Sequence, residues 1–140
     1  RLRVVGRNGH TLQEIWGDEP RAYLGITVPA FPNFFMLYGP GTNGGEIVIM
    51  LESQAEYAVR AMRRMIRERV TAVEVKPSFE ARWYRWLQSR MEGTSWTTTN
   101  NYFKSPTGKI VTQWPYRNLE YRALTKLFGR VSETTSRRGA

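Results

Sequence analysis

The residues best suited to contacting a ligand form a glycine-rich run between an apolar segment and a long amphipathic stretch. Gly39, Gly41 and Gly44 match the G-x-G-x-x-G spacing, which lets a backbone approach the pyrophosphate of a dinucleotide. Pro40 removes one amide from this turn, and arginines stand about 20 residues later, where an acidic residue would bind the ribose. We therefore expect a ligand-contacting loop that is not the main pyrophosphate site. The alternative is a glycine-rich turn, capped by Asn43, that holds no ligand.

Several other kinds of site lack the side chains that they need. The 140 residues include no cysteine and one histidine, His10, and the sole aspartate is Asp18. Disulfides, thiol nucleophiles and Cys/His or multi-His metal sites are therefore excluded. A Ser-His-Asp triad would need both partners from one short segment, which its geometry disfavours. We predict no catalytic residue and no metal site in this chain.

A second candidate is a run in which aromatic residues alternate with arginines, as they do in proteins that bind single-stranded nucleic acid. It comprises Phe79, Arg82, Trp83, Tyr84, Arg85 and Trp86. Phe79, Trp83 and Trp86 share one helical face with Leu87, and the arginines lie off that face. This spacing favours a packed core with a solvated basic face over a surface that stacks bases.

The charge balance is strongly positive, with 21 Lys and Arg against 12 Asp and Glu and a net charge of +9. Because 41% of the residues are apolar, the chain is predicted to fold rather than to form a disordered basic tail. Five arginines, at positions 60, 63, 64, 67 and 69, fall late in a long helical pattern, where the helix dipole favours them. We predict no nucleic-acid partner, although a small basic nucleic-acid-binding module remains the competing class of function. No membrane-spanning run or signal segment is recognised, which predicts a cytoplasmic protein without a membrane partner.

The elements that would position the glycine run follow from hydrophobic patterning. Residues 34–38 are five apolar residues without alternation, which predicts a strand buried on both faces. Residues 46–69 repeat apolar positions every three or four residues and predict a long helix. Strand, glycine loop and helix together form half of a βαβ unit, whose ligands bind beside the loop.

The flanking segments are predicted to be shorter elements. Asn8-Gly9 predicts a β-hairpin that pairs residues 2–5 with 11–16. The glycines and prolines within residues 17–33 interrupt regular structure and predict a connector. The remaining predicted elements are a strand at 71–75, a helix after Pro77, extended runs at 96–103 and 110–114, a helix at 118–128 and a frayed tail from Arg130. The predicted divisions are a hairpin and connector at 1–33, a central region at 34–130 and a flexible basic tail at 131–140.

Several segments, in matching order and spacing, resemble one enzyme family from Gly25 onward. They are residues 25–40 (GITVPAFPNFFMLYGP), 42–43 (TN), 50–55 (MLESQA), 73–75 (VEV), 95–96 (SW) and 119–122 (LEYR). The chain thereby resembles the C-terminal part of Baeyer-Villiger monooxygenases, which are flavoproteins that use FAD and NADPH. The resemblance implies an α/β fold, in which 34–130 is the C-terminal portion of a Rossmann-like FAD-binding domain, flanked by β-hairpins and short helices.

The resemblance also implies a function. The intact oxidoreductase would use NADPH and O2 to oxygenate a small-molecule ketone to an ester or lactone, with the rest of the same polypeptide upstream as partner. This fragment alone would be inactive. The loop residues Gly39, Pro40, Thr42, Asn43 and Gly44 would lie against FAD and substrate, and Trp96 would contact NADP. A flavin monooxygenase that acts on nitrogen or sulfur remains an alternative.

Overall fold

The computed structural model describes residues 2–98 and 102–137. After a 3₁₀ turn at Arg7–Gly9, the elements in chain order are α1 (Leu12–Trp16), α2 (Ile47–Glu68), β1 (Ala72–Val75), α3 (Pro77–Met91), α4 (Ser95–Thr98), α5 (Asn118–Ser132) and β2 (Glu133–Ser136). Hydrophobic periodicity predicted the long helices α2, α3 and α5, and the structure confirms all three. No described helix is long and apolar enough to cross a bilayer.

The helix α2 is the longest described helix, and it packs mainly against α5. Its bounds differ from the prediction by one residue at each end, because Glu46 and Arg69 flank the helix as caps. Arg69 adopts a left-handed conformation with φ 51°, and its amide donates to the carbonyl of Ile66 at 3.3 Å. This geometry ends the helix and turns the chain into β1.

The two strands pair antiparallel, with Ala72 opposite Ser136 and Val75 opposite Glu133. The sequence predicted a frayed tail from Arg130, whereas α5 continues to Ser132 and the next four residues form β2. The pairing supplies hydrogen-bond partners for the backbone of β1, whose two valine side chains are buried. Residues 138–140 of the predicted tail lie outside the described residues.

Residues 34–38 do not form the buried strand that the sequence predicted. Leu37 is 55% exposed and Tyr38 is 37% exposed. The amide of Met36 donates to the carbonyl of Ile26 at 2.8 Å, but no strand of the described residues pairs along this segment. A short apolar run cannot by itself distinguish a strand from an irregular segment, and this one lacks the neighbouring strand that would extend it.

The predicted opening hairpin forms only around its turn. Asn8 and Gly9 have φ values of 62° and 78°, and one bridge joins Val5 to Thr11. The second arm is the helix α1 instead. The hydroxyl of Thr11 accepts the amide of Glu14 at 3.2 Å, and the Glu14 carboxylate accepts the amide of Thr11 at 2.7 Å. This capping box starts a helix where the hairpin required a strand.

The two extended runs predicted at 96–103 and 110–114 form no regular strand among the described residues. α4 occupies the start of the first, and residues 99–101 of that run lie outside the described part. The second run makes isolated bridges, one between Ile110 and Lys104 and one, parallel, between Gln113 and Asn43. The second run therefore passes beside the glycine loop.

The core is an aromatic cluster enclosed by α2, α3 and α5. It comprises Tyr23, Leu24, Ile26, Met50, Tyr57, Val75, Trp83, Leu87, Met91, Ile110, Trp114 and Tyr121. Trp83 stacks on Trp114 with ring centroids 6.0 Å apart, and Phe79 and Trp86 pack against the cluster from the same face of α3. Phe79, Trp83 and Trp86 thus contribute to the core, as their spacing predicted.

Candidate functional site

The glycine loop, residues 39–45, is held by backbone pairing with residues 111–114. The amide of Gly41 donates to the carbonyl of Val111 at 2.9 Å, and the amide of Asn43 donates to the carbonyl of Thr112 at 2.8 Å. The carbonyl of Asn43 accepts from the amide of Trp114 at 3.0 Å. The loop is therefore positioned by a segment that lies about 70 residues away in sequence.

Each of the four glycines of the loop stands where an added Cβ would collide with the protein, and Gly39 and Gly45 are the most crowded. A Cβ on Gly39 would lie 2.3 Å from the carbonyl oxygen of Gly25. A Cβ on Gly45, whose φ is 62°, would lie 2.0 Å from Oδ1 of Asn118. Packing within the chain thus explains these two glycines, and a ligand would lie in the space beside them.

That space is an open groove of about 490 Å³. We call it the apolar groove, and it is lined by Trp16, Pro20, Met36, Leu37, Tyr38, Gly39, Pro40, Asn43, Val111 and Thr112. None of these described lining residues is charged, so a pyrophosphate would meet no cation here. A flat apolar ring or a small ketone fits this lining better.

Tyr38 holds a strained backbone conformation at the edge of the apolar groove. Its φ is 60°, which costs a non-glycine residue about 1–2 kcal/mol. Its amide donates to Oε1 of the fully buried Gln54 at 2.6 Å. The Gln54 amide group donates in turn to the hydroxyl of Tyr121 at 3.0 Å, and that hydroxyl donates to the carbonyl of Leu24 at 2.5 Å. A chain of hydrogen bonds therefore anchors the groove edge in the core.

This chain of hydrogen bonds is built from neutral groups. Burial raises the pKa of Tyr121, whose hydroxyl therefore remains a donor. At the surface, the Tyr38 hydroxyl donates to Oδ1 of Asn43 at 2.6 Å. Tyr38 was not predicted as a site residue, because nothing in the sequence signals a left-handed tyrosine.

The structure distributes the predicted site residues over three environments. Gly39, Pro40 and Asn43 line the apolar groove. Thr42 is fully buried, and its hydroxyl donates to the carbonyl of Gly39 at 2.6 Å. Gly44 lies against the backbone of Trp114, whose carbonyl oxygen would be 2.6 Å from an added Cβ. The cofactor contacts predicted for these five residues stay predictions.

Trp96 lies in the short helix α4, away from the glycine loop in sequence. It is half-buried and packs against the central aromatic core. It is not among the residues that line the apolar groove. The structure therefore does not bring Trp96 to the predicted loop site, and its contact with NADP stays a prediction.

The chain is similar in sequence to several monooxygenases. No protein-family model matches it. It is 36% identical over 131 residues to the uncharacterized monooxygenase y4iD of Sinorhizobium fredii, covering 89% of this chain and 20% of that protein. A Baeyer-Villiger monooxygenase of Pseudomonas aeruginosa is 35% identical over 130 residues, which cover 89% of this chain and 25% of that protein. The FAD-binding monooxygenase ktnD of Aspergillus niger is 33% identical over 129 residues, which cover 86% of this chain and 21% of that protein.

Solved structures with the same fold include two monooxygenases. Oxidized steroid monooxygenase bound to NADP superposes with a TM-score of 0.88 and 25% identity, covering 97% of this chain and 27% of that one. Closed cyclohexanone monooxygenase gives a TM-score of 0.86 at 23% identity, with the same coverage of 97% and 27%. Over most of its length the chain is thus homologous to FAD-binding monooxygenases, Baeyer-Villiger monooxygenases among them, and it spans between 20% and 25% of the sequence relatives named above.

Proposed function

We propose that this chain is the C-terminal part of an FAD- and NADPH-dependent monooxygenase that oxygenates a ketone to an ester or lactone with O2. The observation that carries the proposal is the 35% identity to a Baeyer-Villiger monooxygenase over 89% of the chain. Because the chain spans 25% of that relative, the rest of the same polypeptide would supply the remaining parts of the enzyme. The α/β fragment described above would then complete a Rossmann-like FAD-binding domain.

The apolar groove fits the ring system of FAD or the ketone, and it does not fit the pyrophosphate, because its described lining carries no charge. When bound, FAD supplies the redox chemistry between NADPH and O2. Gly39 and Pro40 would contact the ring with backbone atoms and the pyrrolidine. Thr42 and Gly44, which pack inside the chain, would set the position of that backbone.

Two features of the groove would serve the substrate. Met36, Leu37 and Val111 form an apolar wall that excludes water from the reacting groups. Asn43 accepts from Tyr38 through Oδ1, and its Nδ2 has no hydrogen-bond partner among the described residues. That amide is free to donate to a carbonyl oxygen. Asn43 would therefore orient the ketone or the edge of the ring.

A charge placed in the apolar groove tests this role. In the intact monooxygenase, Leu37→Asp is expected to lower kcat/KM for the ketone by about tenfold or more, because the ring or ketone that covers the groove would desolvate the carboxylate without giving it a partner. The matched control is Leu119→Asp, at a position that is 77% exposed and outside the groove. Equal values of kcat/KM for the two variants would show that the apolar groove is not part of the substrate pocket.

The proposed dependence on upstream sequence has a spectroscopic test. The 140-residue chain is expected to be colourless and to turn over no NADPH, whereas the intact protein is expected to be yellow from bound FAD. Stoichiometric FAD on the chain alone would contradict the proposal.

Trp96 is proposed to contact NADP in the intact enzyme. Trp96→Ala should raise the KM for NADPH and uncouple O2 consumption from product formation, with FAD content nearly unchanged and a smaller loss of stability than truncation of a fully buried tryptophan causes, because Trp96 only partly packs against the core. The control is Trp83→Ala at a position that is 8% exposed, where truncation should cost about 3–5 kcal/mol. If Trp96→Ala lost comparable stability and kept normal NADPH kinetics, the residue would belong to the core alone.

A further inference from the structure

A second groove, of about 300 Å³, lies between α2 and α5 and shares no lining residue with the apolar groove. We call it the basic groove. It is lined by Tyr57, Arg60, Ala61, Arg63, Arg64, Arg67, Lys126, Gly129, Arg130 and Glu133. Six of these described residues are cationic and one is a carboxylate. The monooxygenase activity proposed above gives this groove no task.

The cations stand in two rows. On α2, arginines 60, 63, 64 and 67 follow one another at spacings of one or three residues and share one groove. On α5, Lys126 and Arg130 are four residues apart and line the same groove. Like charges three or four residues apart on a helix repel each other. An anion bound between the rows would relieve that repulsion.

The buried carboxylate of the groove serves to fix one arginine. Glu133 has a side chain that is 2% exposed, and it accepts from Arg64 and, at 2.6 Å, from the hydroxyl of Tyr57. Burial and the charge of Glu133 raise the pKa of Tyr57, so the hydroxyl remains a donor. Glu133 is therefore satisfied within the protein and holds Arg64 at the floor of the groove.

The cations nearer the surface are incompletely neutralised. Arg67 and Arg130 share one carboxylate, that of Glu68, at 3.3 Å and 3.5 Å. Arg63 and Lys126 are exposed, and neither has an ion pair with any residue in the described ranges. The groove therefore keeps an excess of positive charge where a ligand would enter.

We propose that the basic groove binds the phosphate group of a small anionic ligand. Guanidinium groups match phosphate oxygens in pairs, and two facing rows of cations suit a ligand with more than one negative charge. A nucleic-acid strand would also need exposed aromatic faces on which its bases stack. The groove's aromatic residue, Tyr57, is 2% exposed. A compact phosphate therefore suits the groove better than a strand.

Isothermal titration of the chain with pyrophosphate, at constant ionic strength, tests this proposal. The native chain should show saturable one-to-one binding. Arg63→Gln combined with Lys126→Gln should weaken binding by about tenfold or more, because charge-assisted hydrogen bonds are lost. The matched control combines Arg85→Gln with Arg90→Gln, which removes two exposed charges of α3 outside the groove. The control should bind within about twofold of the native chain.

Three results would overturn the proposal: no saturable binding, equal weakening in the control, or a single-stranded oligonucleotide that binds more tightly than pyrophosphate. Equal weakening would indicate that net charge alone attracts the anion. Vesicles of phosphatidylcholine with phosphatidic acid form a further arm of the test. If they compete with pyrophosphate, a lipid headgroup is the source of the phosphate; if they do not, the source is a free small molecule. Melting curves of all variants verify that each chain is folded.

Discussion

The apolar groove and the basic groove are built in opposite ways. The apolar groove is made largely from neighbouring residues, 36–40, whose backbone is fixed by close contacts with Gly25 and Gln54. The basic groove is made mainly from side chains of two helices whose lining residues lie about 65 to 70 positions apart in sequence. The first can therefore be located from a local sequence pattern, whereas the second appears only when α2 and α5 are packed together.

The two grooves should also fail in different ways when they are mutated. The apolar groove depends on backbone approach and on a buried neutral amide, so added atoms or lost hydrogen bonds should disturb it. The basic groove depends on one buried ion pair at its floor, so an unpaired charge should disturb it.

The largest effect is expected at the floor of the basic groove. Arg64→Met leaves Glu133 buried without its cation, which should lower the free energy of unfolding by about 3–5 kcal/mol in urea denaturation. The control is Arg67→Met, whose pair with Glu68 is exposed and should contribute less than about 1 kcal/mol. Similarly small losses of stability in both variants would show that the buried pair of Arg64 and Glu133 does not stabilise the basic groove.

The next largest effect is expected at the loop of the apolar groove. Gly39→Ala places a Cβ against the backbone of Gly25, and overpacking of this kind should cost about 2–3 kcal/mol. Gly108→Ala is the control, because its Cβ would meet no atom within 4 Å. The φ of 84° at this position should lower the stability of the alanine variant by about 1 kcal/mol. If the control lost as much stability as Gly39→Ala, the close backbone approach would not be decisive.

The parts of the fold that the sequence predicts are those with a long repeat. The helices α2 and α3 were predicted because their apolar residues recur at helical spacing over many turns. α5 was predicted to end at residue 128, but it continues to Ser132, and β2 follows. The polar sequence of β2 gives no strand signal, since its pairing with β1 comes from tertiary contacts.

Short segments were predicted less well, for two different reasons. Thr11 and Glu14 have the spacing of a capping box, so the helix α1 was visible in the sequence and was overlooked in favour of the Asn-Gly turn. The run at 34–38 had no such signal, because an apolar run of five residues is ambiguous. At the candidate site, the glycine loop was visible as a sequence pattern, but the strained Tyr38 depends on Gln54, which is 16 residues away.

A smaller effect is expected from the amide that anchors Tyr38. Gln54→Met removes the acceptor of the Tyr38 amide and should cost about 1–2 kcal/mol, with faster hydrogen exchange at that amide. The control is Gln88→Met, which removes one hydrogen bond to the carbonyl of Ile110 at a half-buried position. Unchanged exchange at Tyr38 would show that the left-handed conformation persists without Gln54.

The smallest effect concerns two carboxylates, those of Glu80 and Glu19, and it is resolved by pH. Burial raises the pKa of Glu80 above 4.5, and Arg21, with Nε at 3.3 Å, only partly offsets this. Glu80 is thus protonated more readily in the folded state, so its favourable contribution is present at low pH and is lost as pH rises through its folded pKa. Glu80→Gln cannot ionise and should gain stability relative to the native chain across that window.

Glu19 provides a control of opposite sign. Hydrogen bonds from Thr107, at 2.5 Å, and Tyr84, at 2.9 Å, lower its pKa below 4.5. The stabilising contribution of Glu19 is therefore present above pH 4.5 and is lost as the pH falls through the folded pKa of Glu19. Relative to the native chain, Glu19→Gln should lose stability as pH rises, whereas Glu80→Gln should gain it. Urea denaturation from about pH 3 to about pH 7 measures both slopes. Slopes of the same sign would mean that net charge, rather than the separate environments of the two carboxylates, governs the response.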